Sequence, residues 1–148
     1  MEEVLLTKNI VETSEFAKRL SMKIKGGDVL LLYGDLGSGK TTFTQYLAAA
    51  IGIKRKIISP TFIIMRSYDF PDDKRDLKHF YHVDLYRAQS ENDIEGLGLI
   101  ELLGKKENIL VIEWPEKLGS RTPKIATSLY FKYIDENTRE IRVKKYHG

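Results

Sequence analysis

Apolar and polar positions alternate along this chain with two different periods, and the periods change at glycine, proline and charged clusters. Val29-Leu30-Leu31-Leu32-Tyr33 and Asn108 to Trp114 are nearly unbroken apolar runs, short enough to be buried strands. Thr13 to Lys25 has the helical period, with Phe16, Leu20 and Ile24 four apart on one face, and Gly26-Gly27 ends it. Thr42 to Ile51 lacks Gly and Pro and is rich in Ala and Leu, so it predicts a helix that Gly52 stops at its C′ position. Glu3 to Thr7 predicts a short first strand. Thr61 to Asp69 and Leu77 to Tyr86 predict strands that pair as a hairpin across the polar turn Pro71 to Asp76. Ser90-Glu91-Asn92-Asp93 caps a short helix running through Leu97. Near the C-terminus Ile125, Thr127, Leu129, Phe131 and Tyr133 alternate with their neighbours. A turn at Asp135-Glu136-Asn137-Thr138 follows, and Ile141 and Val143 alternate again, the pattern of an antiparallel hairpin.

Between the first buried strand and the second helix lies Gly34-Asp35-Leu36-Gly37-Ser38-Gly39-Lys40-Thr41, with Thr42 next. Two glycines with four residues between them, then Lys and Thr, spell a phosphate-binding loop, here in the strand–loop–helix context the motif requires. Backbone N–H groups of such a loop and of the helix's first turn point at one spot, where the helix dipole favours negative charge. Lys40 is placed to reach the β- and γ-phosphates of a nucleotide, and the Thr41 hydroxyl to ligate Mg²⁺. The whole pattern predicts one domain over residues 1–148: a three-layer α/β P-loop NTPase fold with a central, mostly parallel sheet and an antiparallel C-terminal hairpin.

Composition adds mainly exclusions. The 148 residues contain no cysteine, which removes disulfides, cysteine zinc sites and thiol nucleophiles and suits a reducing cytoplasm. No apolar run approaches a membrane span, and the start of the chain has no secretory pattern. A cytoplasmic location is therefore expected. Twenty-four Lys and Arg against 21 Asp and Glu leave a net charge of +3, which permits a nucleic-acid partner without arguing for one.

A phosphate loop needs a carboxylate at the end of a neighbouring strand to hold the cation. Asp84 ends Phe80-Tyr81-His82-Val83-Asp84, and Glu113 ends Ile109-Leu110-Val111-Ile112-Glu113. Both would fall at the C-terminal edge of a parallel sheet, where this architecture binds ligands. One would stand near the metal and the other would orient water, an assignment left open between them. Thr61, after Ser59-Pro60, occupies a place where nucleotide switches sense a γ-phosphate. Arg87 is either a phosphate-neutralising residue or a surface ion-pair partner. His79 and His82, three apart on a strand, face opposite sides and are assigned structural roles.

Taken together, Leu32-Tyr33-Gly34-Asp35-Leu36-Gly37-Ser38-Gly39-Lys40-Thr41-Thr42, Ser59-Pro60-Thr61-Phe62, His82-Val83-Asp84-Leu85-Tyr86-Arg87 and Ile112-Glu113-Trp114-Pro115-Glu116 resemble, in order and spacing, the bacterial ATPases of tRNA threonylcarbamoyladenosine biosynthesis, the TsaE (YjeE) family. Ser38 stands where many relatives have alanine. The resemblance implies ATP and Mg²⁺ as ligands. Lys40 would bind phosphate, Thr41 and Glu113 would hold the metal, Asp84 would be needed for hydrolysis, and Thr61 would lie in a switch-like loop. Trp114 would lie beside the nucleotide, and the segment near Ile10 and Arg139 would contact adenine. It implies two partners, a threonylcarbamoyl transferase (TsaD-like) of ASKHA-type fold and its inactive companion (TsaB-like). Modification would fall on the adenine beside the anticodon in tRNAs reading codons that begin with A. Lys54-Arg55-Lys56 and Lys144-Lys145 become candidate contacts for a partner or tRNA.

Two other functions use the same loop. A small-molecule kinase would need an acceptor pocket and an Arg-rich lid, and no Arg-rich insert is present. A nucleotide-gated assembly module would need occupancy by ATP but no hydrolysis. No Asn-Lys-x-Asp string that would read guanine occurs.

Overall fold

The computed structural model describes residues 2–58, 64–71 and 76–146. Its centre is a seven-stranded sheet. The strands are β1 (Glu2–Thr7), β2 (Val29–Tyr33), β3 (Met65–Asp69), β4 (His79–Asp84), β5 (Asn108–Glu113), β6 (Ala126–Tyr133) and β7 (Arg139–Tyr146). Their spatial order is β1-β7-β6-β2-β5-β4-β3. β6, β2, β5 and β4 are parallel, whereas β7 and β3 run against their neighbours. The C-terminal hairpin is therefore no appendage. β6 lies directly beside β2, and β7 carries β1 on its far side.

Helix α1 (Ile10–Ser21) and helix α2 (Lys40–Ala50) cover one face. There Phe16, Leu20, Phe43 and Leu47 pack on Leu30, Leu32, Val111, Leu129 and Phe131. The other face is covered by the short helices α3 (Glu91–Glu95) and α4 (Leu99–Leu102) and a 3-10 helix, Pro115–Arg121, with Ile94, Leu99 and Leu118 against Leu31, Val83, Leu110 and Ile112. Burial on both faces explains the unbroken apolar reading of β2 and β5. Phe43 anchors α2: it is fully buried, with ring centroids 5.6 Å from Phe16 and 5.4 Å from Phe131. That packing fixes the start of α2 above the end of β2.

Some boundaries differ from the sequence reading. α1 begins three residues earlier than Thr13, because the Asn9 side chain accepts a hydrogen bond from the Glu12 N–H and Glu12 reaches back to the Lys8 N–H. It ends at Ser21, so Ile24 reaches the core from the turn beyond it. α3 has the expected Ser90 cap, with Asp93 closing a capping box. α4 and the 3-10 helix were not foreseen, since both are too short to show a period. The segment 61–63 of the expected strand and residues 72–75 of the expected turn lie outside the described residues. Met65–Asp69 pairs antiparallel with β4 as expected. Among the described residues no helix is long and apolar enough to cross a membrane.

The turn between α1 and β2 touches the segment entering β5. A Cβ added at Gly26 would stand 1.8 Å from the Lys106 carbonyl oxygen, and the Gly27 N–H donates to the Asn108 carbonyl at 2.8 Å. Only glycine permits that approach. Gly26→Ala is expected to destabilise the fold by more than about 1 kcal/mol, since the native backbone cannot accept the new methyl group. Met22→Ala, at an 84% exposed neighbour, should stay within about 0.5 kcal/mol of the parent. Urea unfolding midpoints of the two variants check this; equal midpoints would show that the contact contributes nothing.

Candidate functional site

β2 ends at Tyr33 and the chain turns through Gly34 to Gly39 into α2. Gly34 has φ +145, and a Cβ there would lie 2.7 Å from both the Phe131 carbonyl oxygen and the Ser38 hydroxyl, so the loop is drawn tight against β6. Gly39 is the N-cap of α2 with φ +102, and no side chain caps the helix. The first-turn N–H groups of a helix have no intrahelical acceptors, and here they face a cleft of about 650 Å³. A tight loop, an uncapped helix start and a lysine at its first position form a cradle that fits a polyphosphate.

Of the residues expected here, Leu36, Gly37, Gly39, Lys40, Thr41 and Thr42 line the cleft, with Asp84, Glu113, Trp114 and Arg139. Asp35 and Ser38 do not line it. Asp35 is exposed, its carbonyl accepting the Ser38 N–H, and Ser38 is buried with its hydroxyl turned toward Gly34. They shape the loop rather than the cleft wall. Ile10 and Arg139 meet at a second, smaller cavity of about 170 Å³, which shares Gly39 and Thr42 with the main cleft. The Arg139 guanidinium lies over the Tyr133 ring at 4.6 Å and donates to the Asp135 carbonyl at 2.7 Å. Thr61 lies outside the described residues. Arg87 lines the main cleft. Lys54, Arg55 and Lys56 are exposed, and Arg55 lies over the Tyr68 ring.

Parallel pairing assembles the acidic end. Leu32 is in register with Glu113, and Glu113 with Asp84, so the loop and both carboxylates share one sheet edge. The Thr41 hydroxyl donates to Glu113 Oε2 at 3.4 Å. The Lys40 ammonium donates to the Gly34 carbonyl and stands 4.2 Å from the Trp114 ring centroid. Trp114 itself packs on Tyr86 and takes a left-handed backbone, φ 57, unusual for so bulky a residue. Among the described residues no three His, Asp or Glu side chains converge on one point. A site of hydroxyl plus carboxylate suits Mg²⁺, which commonly takes one or two carboxylates and fills its other positions with phosphate oxygens and water.

One residue of this edge was missed. His82, assigned a structural role from spacing, is fully buried, and its Nε2 lies 2.6 Å from Glu113 Oε2. Its position two before Asp84 on a buried strand was the available signal, since residues i and i+2 share a face. His79 behaves as expected, in an exposed pair with Asp69 at 3.1 Å.

Burial works against two of these charges. Burial is the main influence on Asp84 and raises its pKa above the usual carboxylate range; the neighbouring Glu113 charge adds to this, while the Tyr86 N–H hydrogen bond opposes it. Burial pushes Lys40 below the usual lysine range, offset in part by Glu113 and Asp84.

The sheet order, the tight loop and the strand-end acids define a P-loop NTPase-like domain. Residues 7–141 match the family model described as "Threonylcarbamoyl adenosine biosynthesis protein TsaE". The chain belongs to the TsaE family. It is 37% identical over 135 residues to the tRNA threonylcarbamoyladenosine biosynthesis protein TsaE of Bacillus subtilis, covering 91% of this chain and 80% of that protein. Against the TsaE protein of Borreliella burgdorferi it is 40% identical over 120 residues, covering 80% and 83%. The crystal structure of Bacillus subtilis YdiB superposes with a TM-score of 0.75 at 28% identity, covering 99% of this chain and 87% of that one.

A carboxylate with a raised pKa binds its proton more tightly folded than unfolded. Stability therefore falls as pH rises from the ordinary carboxylate range through the raised pKa, and at neutral pH the ionised group costs stability. Asp84→Asn should accordingly raise the thermal midpoint of the ligand-free protein at pH 7, with the gain shrinking as pH drops below the usual carboxylate range. Calorimetry at a series of pH values checks the sign; a lowered midpoint at pH 7 would refute the assigned strain.

Proposed function

We propose that this protein is a Mg²⁺-dependent ATPase acting in threonylcarbamoylation of the adenosine next to the anticodon in tRNAs that read codons beginning with A. The observation that carries the reading is convergence: Lys40, Thr41, Glu113 and Asp84 meet at the uncapped start of α2 in one cleft.

The triphosphate of ATP lies along Gly37 to Thr42, held by backbone N–H groups and the Lys40 ammonium. To reach it, Lys40 gives up the Gly34 carbonyl, an exchange made easier because its charge is already poorly solvated. The smaller cavity between Ile10 and Arg139 receives the adenine. Thr41 and Glu113 would hold the cation, which when bound would neutralise charge developing on the phosphates. Glu113 is committed to Thr41 and His82, so orienting the attacking water falls to Asp84, the half-buried acid that lines the open cleft. Ionised, Asp84 offers that water only acceptors; protonated, it presents a donor and is the weaker acceptor. Hydrolysis then resets the affinity of this chain for its partners, a TsaD-like threonylcarbamoyl transferase and its TsaB-like companion, which carry the tRNA. The chain transfers no carbamoyl group itself.

Free-phosphate release by the isolated protein should be slow, on the order of 10⁻⁴ to 10⁻² s⁻¹ as for unassisted P-loop hydrolases. Lys40→Ala should abolish it while circular dichroism stays unchanged. The rate should fall as pH drops through a pKa above the usual carboxylate range, as Asp84 takes up its proton. Normal turnover in Lys40→Ala would refute the site. Reconstitution with both partners and tRNA should show modification beyond one round only with this chain and hydrolysable ATP; full multi-round activity with a non-hydrolysable analogue would leave the chain an assembly module.

A further inference from the structure

Glu113 is 3% exposed at the end of β5, a costly place for a carboxylate without partners. Two of its contacts fall on one oxygen. Oε2 faces His82 Nε2 at 2.6 Å and Thr41 Oγ1 at 3.4 Å. The first distance is that of a strong, charge-assisted hydrogen bond. The β4–β5 register places Asp84 beside Glu113 and His82 beside Val111, so the imidazole reaches the carboxylate diagonally across the sheet. His82 is itself fully buried, and its Nδ1 has no partner among the described residues. Glu113 is thus the ring's one hydrogen-bonding partner among the described residues. A histidine serving only the core would be held by the backbone or by a residue unconnected with the cleft. Here the ring is fastened to the carboxylate assigned to the cation.

We infer that His82 is a positioning residue, which donates its Nε2 proton to Glu113 Oε2 and fixes that carboxylate in the orientation that receives the divalent cation. The inference rests on the reading of Glu113 as a cation-holding residue. It goes further by placing the control of cation affinity one strand away, on a side chain that touches neither cation nor nucleotide. Hydrogen-bonding partners that orient a metal-binding side chain commonly account for 10–100-fold in metal affinity. Losing this donor would free the Glu113 side chain to rotate and leave a buried acceptor unsatisfied.

The test uses the full chain with ADP and Mn²⁺ as the probe. Mn²⁺ affinity of the ADP complex is read by electron paramagnetic resonance, and metal-free ADP affinity by calorimetry. His82→Leu removes the donor. His82→Gln places an amide nitrogen close to where Nε2 stood, and His82→Asn is polar but too short to reach Glu113. Expected is a Mn²⁺ affinity lowered about 10–100-fold in His82→Leu and His82→Asn, near the parent in His82→Gln, with metal-free ADP affinity within about twofold throughout. If His82→Leu does not fold, the contrast between the Asn and Gln variants carries the same decision. Unchanged Mn²⁺ affinity in His82→Asn would overturn the inference, as would equal losses in Asn and Gln variants accompanied by loss of metal-free ADP binding, the signature of a core residue only. Glu113→Gln separates the two levels: if it leaves Mn²⁺ affinity intact, the reading of Glu113 fails. If it lowers the affinity and His82→Asn does not, only the role of His82 fails.

Discussion

The parallel pairing of β2 with β5, Leu32 opposite Glu113, is the constraint from which the site follows. Parallel strands deliver their C-terminal ends to the same edge, and the loops leaving that edge meet there. The loop after β2 turns tightly because Gly34 lies against the Phe131 carbonyl, and α2 starts where that turn ends. A shift of one residue in the register would turn Glu113 to the opposite face, away from Thr41, because side chains alternate along a strand. Packing holds the register: Leu30, Leu32, Ile109 and Val111 go beneath α1 and α2, and Leu31, Leu110 and Ile112 go to the other layer.

Around that edge the molecule keeps charge where the fold would prefer none. Lys40 and Asp84 are both shifted toward their neutral forms by burial, and Trp114 holds a left-handed backbone beside them. Such features cost stability and cluster where ligands bind. On the proposed function, a polyphosphate with its cation would supply opposite charge to both groups and offset that cost. Lys40 resting on the Gly34 carbonyl and the Trp114 ring shows how the ammonium is accommodated in the meantime.

The C-terminal hairpin illustrates how a local pattern and a global position differ. Alternation in Ala126 to Tyr133 and Arg139 to Tyr146 identifies two strands and a turn, and the turn is where it was expected. Nothing local says that β6 enters the sheet parallel to β2 or that β1 then pairs with β7. Those placements bring Arg139 against Gly39 and opposite Ile10 at the smaller cavity. Residues from both ends of the chain thereby join a site whose motif lies near residue 40.

What the sequence determined by itself was whatever depends on neighbours in the chain: the loop and its helix, the buried strands with their terminal acids, the Ser90 cap and the ordered set of motifs that marks the family. Periods, glycines and caps act over a few residues, so they can be read there. α1 began earlier than expected because one Asn9 side-chain hydrogen bond outweighs a weak period. The partner of His82 was decided only by the tertiary structure. The spacing of His82 from His79 puts the two histidines on opposite faces, but the partner of His82 lies 31 residues away on another strand, and only the β4–β5 register brings the two within 2.6 Å. Strand order, register and the desolvation of Lys40 and Asp84 arise from packing between distant segments, and no local pattern encodes the distance between them.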